Sequence, residues 1–266
     1  MILPKISIVT PSFNQAPFLE ETIQSVLSQE YPDLEYIVMD GGSTDGSTEI
    51  IRKYADRLAD WKSAKDGGQA DAIRTGFTRA TGEILCWLNS DDTISPGTLR
   101  MVGEFFATNP GVDLVYGDLN LVDAEGKRLY TARPFLRLEI LAYENAFIPQ
   151  QGMFWRRSLY ERVGGLDPSL TFAMDFDLVV RFLLAGARVR KLPGILANYR
   201  WHPAAKSSTL RYVMEKEICE LVRRHLPAAA DEPAWRRFLK KMYYRGLRFG
   251  HEPRGLASAL LSRRRT

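Results

Sequence analysis

Residues 84–92 read ILCWLNSDD. An apolar run suited to a buried strand ends in two adjacent carboxylates, Asp91 and Asp92. Two negative charges side by side repel unless a positive group sits near them. One chemistry that resolves this is a divalent cation. Mg²⁺ or Mn²⁺ is commonly bound through one or two carboxylates, with phosphate oxygens and water completing the octahedron. The alternative is a turn or cap ahead of a helix starting near Ser95. Two further carboxylates stand at comparable stops. Asp40 follows the run EYIVM, where it suits either a directional charged hydrogen bond to the N3–H of a pyrimidine or capping of the turn DGGSTDGS. The pair Gly41 and Gly42 permits positive φ or close backbone approach, which serves both roles. In GGQADAIRTG, Asp71 and Arg74 lie three apart on one helix face. Arg74 suits a phosphate and Asp71 suits holding Arg74 or a base; otherwise the two form a surface ion pair favoured by the helix dipole. The P-loop pattern GxxxxGK[ST] is absent.

These groups need elements to position them. Strands are expected at 5–10, 31–40, 59–64, 83–89 and 111–118, and helices at 16–29, 47–59, 68–82 and 95–110. Asp45 is the expected cap of the second helix. Ser95 would cap the fourth, with Pro96 at its first position, and Gly82 would end the third. Strand–helix alternation over about 115 residues implies an α/β fold with an open, mostly parallel twisted sheet flanked by helices. Such sheets bind ligands beyond the carboxyl ends of their strands. The polar stops PSFN, DGGSTD and NSDD fall there and should converge on one cleft. Beyond residue 118 the pattern is less regular. Short strands and a helix are expected over 128–169, a helix from about Asp175 to Gly186, a final strand pair in KLPGILANYRWH, and helices from about 205. The organisation read from this is a catalytic domain at 1–205, divided at 118, and a helical basic extension at 206–266.

The 266 residues carry 36 Lys and Arg against 32 Asp and Glu. The excess is uneven: from residue 211 onward there are 14 basic against 6 acidic residues. An acidic body thus carries a basic tail, and the tail should meet a different partner. Its helix mixes Trp235, Phe238, Leu239, Met242 and Tyr243 with Arg236, Arg237, Lys240, Lys241 and Arg245. Such a helix either lies on an anionic membrane surface or packs on the domain with a solvated basic face. No nucleic-acid-binding motif accompanies the charge, so nucleic acid is not an expected partner. No apolar run approaches the ~20 residues that span a bilayer. The N-terminus lacks a signal-peptide pattern, which points to a cytoplasmic protein, peripheral on the inner face of the cell membrane if the tail binds lipid. Cys86 and Cys219 have no metal-ligand spacing.

Three stretches together resemble the family-2 glycosyltransferases of GT-A (Rossmann-like) fold, over roughly residues 5–205. They are ISIVTPSFNQAPFLEETIQSVLSQEYPDLEYIVMDGGSTDGS, DGGQADAIRTGFTRATGEILCWLNSDD and GGLDPSLTFAMDFDLVVRF. The subgroup resembled is associated with bacterial surface-polysaccharide and O-antigen assembly. The resemblance implies that Thr10, Pro11, Ser12 and Asn14 line a nucleotide site and that Asp40 contacts the pyrimidine. Asp91 would be the main ligand of Mn²⁺ or Mg²⁺ in a DxD-like motif, Asp92 a second-shell or alternative ligand, and Asn89 and Ser90 would lie near the ribose. The family often has Asp at the position of Asn89 and Asn at that of Arg74.

An acceptor hydroxyl needs a positioned base, and Asp175 and Asp177 are the available carboxylates. Asp177 stands four before Arg181, which suits a structural ion pair. Asp175 is a helix cap on residue type alone and the base by resemblance; Met174 replaces the family's usual Glu before it. Some relatives carry a His followed by Lys-Ser near the diphosphate. This makes Lys206 a phosphate-neutralising charge and His202 a third metal ligand. Gln150, Gln151 and Trp155 would floor the acceptor site, Trp155 by stacking on a sugar or else by packing in the core.

The implied function is an inverting, metal-dependent transfer of a sugar from a nucleotide-diphospho-sugar, with UDP ahead of dTDP and GDP, to a glycan or lipid-linked acceptor. The rivals are a non-catalytic sugar-nucleotide or glycan-binding module of the same fold, and a nucleotidyltransferase, whose Gly-rich signature is missing.

Overall fold

The computed structural model describes residues 2–143 and 148–251. The tail segment GLASALLSRRRT lies outside the described residues. The elements in chain order are β1 (Ile6–Ser12), α1 (Ala16–Leu27), β2 (Leu34–Asp40), α2 (Ser47–Lys53), β3 (Asp60–Ser63), α3 (Gln69–Arg79), β4 (Ile84–Trp87), β5 (Thr93–Ile94) and α4 (Thr98–Thr108). There follow β6 (Leu114–Val122), β7 (Arg128–Ala132), α5 (Leu138–Tyr143), β8 (Met153–Arg156), α6 (Arg157–Arg162), α7 (Met174–Leu184) and β9 (Val189–Arg200). The chain continues through α8 (Lys206–Thr209), α9 (Arg211–His225), α10 (Pro227–Ala230) and α11 (Ala234–His251).

The strands form one sheet in the order β3-β2-β1-β4-β8-β6-β9-β5, with β7 on β6. The first half is parallel, as the alternation requires. The second half corrects the expectation of a mostly parallel sheet. Strand β8 runs antiparallel to both β4 and β6, β5 is antiparallel to β9, and only the β6–β9 pair is parallel.

Strand β1 is buried along its length, including the small polar residues Ser7, Thr10 and Ser12. Successive residues face opposite layers. Ile6 and Ile8 pack with Leu19, Ile23 and Phe106 of α1 and α4, while Val9 packs with Ile73, Phe77 and the helices of the other layer. Apolar residues three and four apart (Leu19, Ile23, Val26, Leu27) give α1 its buried stripe.

Several local expectations are corrected. Helix α4 starts at Thr98 after Gly97, which has φ 79° and forms no side-chain cap, so Ser95 and Pro96 belong to the preceding turn. Helix α3 ends at Arg79. Gly82 is instead required by close approach, since a Cβ there would sit 2.3 Å from Ser7 Oγ. The final strand pair is one strand, β9, which passes Gly194 (φ 89°) and pairs with β6 through two register shifts. The two-residue β5 carries no pattern a sequence would betray. The N-cap of α2 is Gly46 (φ 98°), not Asp45; the Asp45 carboxylate still accepts the N–H of Ser47 (3.0 Å) and that of Ala16 (2.9 Å), joining the starts of α1 and α2.

Candidate active site

The loops after β1 and β2 are tied together at the carboxyl edge. Asn14 adopts a positive φ of 52°. Its side-chain oxygen accepts the Thr44 N–H (3.0 Å), and its own N–H donates to Ser43 Oγ (2.7 Å). Asp40 is buried, and its carboxylate accepts from Gly42 N (3.1 Å), Ser43 N (3.0 Å), Ser63 Oγ (2.6 Å) and Ser43 Oγ (2.5 Å). A carboxylate offers about four acceptor positions. Asp40 therefore takes the capping role and builds the loop, with three of these bonds on Oδ2 and one on Oδ1. What the loop presents is Phe13, 61% exposed, beside Gly41. A Cβ on Gly41 would lie 3.1 Å from Asp66 Oδ2 and 3.3 Å from Phe13 Cδ2, so glycine lets ring and carboxylate close over the end of β2. Phe13 and Asp66 were not singled out in the sequence; an exposed aromatic in a strand-end loop was the available signal. Thr10 points inward, its hydroxyl 3.0 Å from Tyr36 OH, so its side chain does not line the cleft. Pro11 is buried within β1. The buried Ser12 Oγ makes no hydrogen bond.

At the end of β4 the two adjacent carboxylates have different surroundings. Asp91 Oδ2 lies 3.2 Å from His202 Nε2, and the His202 ring packs 4.7 Å from that of Phe18. Asp92 is turned inward. Its Oδ1 accepts the Arg200 N–H (2.9 Å), and its Oδ2 accepts from Gln151 Nε2 (3.0 Å) and Asn89 Nδ2 (3.2 Å). Burial, reinforced by the Asp91 charge, pushes the Asp92 carboxyl well above the usual carboxylate range. The repulsion between the pair is eased on the Asp91 side by the facing histidine and on the Asp92 side by three donated hydrogen bonds. Arg200, buried and missed in the sequence, also donates from Nε to the Asp91 carbonyl (3.0 Å).

Among the described residues, no three His, Cys, Asp or Glu side chains gather into an ion cage. Asp91 and His202 nevertheless fit a shared ion. Two donors at right angles on an octahedral Mg²⁺ with ~2.1 Å bonds are about 3 Å apart, near the observed 3.2 Å. Phosphate oxygens and water would supply the other positions.

Gln69, which the sequence does not single out, joins Asn89 to Lys206. Its Oε1 accepts from Lys206 Nζ (2.8 Å) and its Nε2 donates to Asn89 Oδ1 (2.8 Å). Asn89 reaches Gln150 Oε1 (3.3 Å), and Gln150 Nε2 donates to the Trp87 carbonyl (2.6 Å). Ser90 is buried beside Asn89. Asp71 accepts the Gly67 N–H (3.1 Å) and pairs loosely with Arg74 (3.4 Å), whose side chain is largely in solvent.

Asp175 is the second residue of α7. Burial pushes its carboxyl up to about 6, opposed by the nearby Lys206 charge. Burial in turn lowers Lys206, with Glu217 and Asp175 acting against the shift. Asp177 has the structural part: Arg181 Nε (2.8 Å) and Nη2 (2.5 Å) donate to Oδ2, and His225 Nε2 lies 2.8 Å from Oδ1. Trp155 is corrected. It is 1% exposed, its ring 5.4 Å from Trp87 and 5.8 Å from Phe182, so it packs in the core and offers no face to a sugar. Gln151 Oε1 is buried without a hydrogen bond.

The sequence profile of Glycosyl transferase family 2 matches residues 7–164. An uncharacterized glycosyltransferase of a Nostoc species is 31% identical over 212 residues, covering 75% of this chain and 66% of that one. The O-antigen biosynthesis protein RfbC of Myxococcus xanthus is 30% identical over 217 residues, 77% of this chain and 16% of its own. The chain therefore spans about two thirds of the first relative and a small part of the second. In structure it is similar to S. aureus TarS 1–349 in complex with UDP-GlcNAc (TM-score 0.65, 19% identity, 92% of this chain and 73% of that one). It is also similar to the mannosyltransferase PcManGT of Pyrobaculum calidifontis in complex with GDP-Man and Mn²⁺ (TM-score 0.60, 22% identity, 98% and 74%). The mixed sheet with flanking helices is the GT-A fold. With a family profile over more than half its length and a site built at the carboxyl edge of that sheet, this chain belongs to glycosyltransferase family 2.

Proposed function

We propose that the chain is an inverting, metal-dependent glycosyltransferase that moves a sugar from a nucleotide-diphospho-sugar to an acceptor hydroxyl in bacterial surface-polysaccharide assembly. The observation that carries this reading is Lys206, which lies beside Asp175 at the start of α7 and donates from Nζ to Gln69 Oε1 at 2.8 Å. Lys206 connects through Gln69 and Asn89 to the Asp91 end of the cleft. A base and a diphosphate-binding end thereby share one cleft. Phe13 stacks on the base and Asp66 accepts from its edge, which favours uracil or thymine. The UDP-GlcNAc complex of TarS supports a UDP-sugar, and the Mn²⁺ of the mannosyltransferase supports Mn²⁺ or Mg²⁺ as cofactor.

Asp91 and His202 would hold the ion. When bound, it stabilises the negative charge on the departing nucleoside diphosphate. Lys206 neutralises part of that charge as a point cation. Asn89 and Gln69 fix its ammonium and the floor below. Asp175 takes the acceptor proton as the hydroxyl oxygen attacks the anomeric carbon.

The acceptor is a glycan or lipid-linked saccharide, and the protein works against a lipid surface. That part is supported by the exposed apolar residues of α11 beside basic ones. Among the described residues no helix is long and apolar enough to cross a membrane.

The test is nucleotide release from a panel of UDP-, dTDP- and GDP-sugars with Mn²⁺, Mg²⁺ or EDTA, with calorimetry on the same donors. Metal-dependent release from one donor is expected. Tight binding of a donor with no release, even with saccharide acceptors added, would favour a binding module.

A further inference from the structure

Helix α9 lies in the segment that the sequence assigns to a C-terminal extension, yet it reaches back to the stretch carrying Asp175. The Glu217 carboxylate accepts three backbone N–H groups, those of Thr171, Phe172 and Ala173, each at 2.8 Å. Ala173 is the N-cap of α7 and has no side chain able to cap it. The N-cap N–H is one of the groups with no partner within a helix, and Glu217 accepts it from 44 residues away, together with the two N–H groups just before it. Inside the first turn, Asp175 Oδ1 itself accepts the Phe176 N–H at 2.7 Å. Two more α9 contacts follow the same stretch: His225 with Asp177 at 2.8 Å, and Arg224 with Asp167 at 3.3 Å. Behind them the buried Leu221, with Ile218, Val222 and Leu226, packs on the cluster that holds Met174, Phe176 and Leu178 of α7.

We infer that Glu217 is a positioning residue for the transfer reaction: from α9 it fixes the N-terminal turn of α7 and so the place of Asp175 in the cleft. The inference rests on Asp175 being the base. A displacement of about 1 Å at a reacting group can cost a hundredfold in rate, and an uncapped first turn frays readily. The same packing sets the surroundings of Asp175. The groups facing it are the Phe176 N–H, which donates to its Oδ1 at 2.7 Å, and Lys206 from α8. Asp177, on the same helix, is paired with Arg181 and His225. Burial holds the Asp175 carboxyl up, so loosening the turn lets water reach it and favours its ionised form.

The test uses the full chain with Glu217→Gln, which keeps the side-chain shape and one acceptor oxygen, and Glu217→Ala. Two readouts need no donor. Hydrogen exchange should quicken about tenfold or more at the amides of 171–173, with the β1–β4 amides unchanged. The Asp175 carboxyl resonance in a ¹³C titration, identified by its loss in Asp175→Asn, should move its midpoint below the wild-type value by about half a unit or more. With the donor that turns over, kcat should fall ten- to hundredfold at unchanged donor KM, and the acid limb of kcat should shift to lower pH. Unchanged exchange and an unchanged Asp175 midpoint would overturn the inference. So would a loss of protection spread over the whole sheet, which marks a purely structural role. Turnover that survives Asp175→Asn would instead defeat the base assignment, and the two donor-free readouts would still report whether Glu217 holds α7.

Discussion

Asp175 has a carboxyl raised to about 6 by burial, and the sign of its effects can be worked out. As a base it is competent only when ionised, so kcat should be flat above pH about 6 and fall roughly tenfold per unit below it. Asp175→Asn should lower kcat by about 10²–10⁴ and leave the nucleotide Kd from calorimetry unchanged. Stability should move the other way. A folded-state value above the unfolded 3.8 means that ionisation opposes folding; the penalty is absent below pH 3.8, grows up to about 6 and stays constant above. Asp175→Asn should therefore raise Tm at pH 7.5 and leave it nearly unchanged at pH 3.5, as scanning calorimetry at the two pH values would show. The neighbours Asp91 and Asp92 should separate just as cleanly. Asp91→Asn removes a charge that faces His202 and the cleft, so metal-dependent donor binding should weaken at nearly constant Tm. Asp92 accepts three hydrogen bonds in the interior. Asp92→Asn turns one acceptor into a donor facing donors, which should cost about 1–3 kcal/mol of stability in urea unfolding. Equal Tm losses for the two variants would contradict this division.

The elements differ in how openly the sequence declares them, and the reason is locality. Strands β1, β2 and β4 are buried on both faces and show as mainly apolar runs; α1 and α3 show a 3.6-residue period; polar stops lie between. That is why Asn89 and Asp91 stand out in the sequence, whereas Asp175 reads as a helix cap on residue type and as a base only through the family resemblance. Strand β9 reads as two in the sequence because Pro193 and Gly194 interrupt it, yet pairing with β6 carries it through by two register shifts. Trp155 has the residue type of a sugar platform, but only the packing of Phe77, Trp87 and Phe182 around it shows that it is spent in the core. Gln69, Arg200 and Glu217 act on residues far away in sequence, and nothing beside them announces it. Helix α3 carries Gln69 and Asp71 at its start, and its distance from the sheet is set by Gly76. A Cβ there would lie 2.5 Å from Val9 Cγ1. Gly76→Ala should push the helix outward, destabilise by about 1–3 kcal/mol and weaken UDP binding, measured by urea unfolding and calorimetry. Full stability with intact binding would mean that the sheet absorbs the methyl without moving the site.

At the scale of the whole molecule, an acidic catalytic body carries a basic C-terminal end, and α11 presents that end in an unusual way. Trp235, Phe238, Leu239 and Met242 recur at helical spacing as one stripe and are 50–63% exposed. Toward α5, α11 turns Lys240, whose Nζ donates to Tyr143 OH at 3.0 Å, and Phe238 lines an open groove beside Tyr143. Arg236, Arg237 and Lys241 flank the stripe in solvent. An aromatic and aliphatic stripe bordered by cations is the surface that an anionic bilayer receives, with apolar groups entering the acyl boundary and cations at the headgroups. The full chain should therefore co-sediment with vesicles of phosphatidylcholine and phosphatidylglycerol, and far less with phosphatidylcholine alone. At about 1 kcal/mol per cation, Arg236→Glu, Arg237→Glu and Lys241→Glu together should reduce binding a hundredfold or more. Trp235→Ala, Phe238→Ala and Met242→Ala together should abolish what binding survives in 0.5 M salt. All six positions are exposed, so the fold should be unaffected by either set. Equal binding to both vesicle types would sink the electrostatic part of this argument. If the apolar set instead converts a dimer to a monomer in sedimentation velocity, with vesicle binding unchanged, the stripe joins two copies of the chain and the membrane contact is wrong.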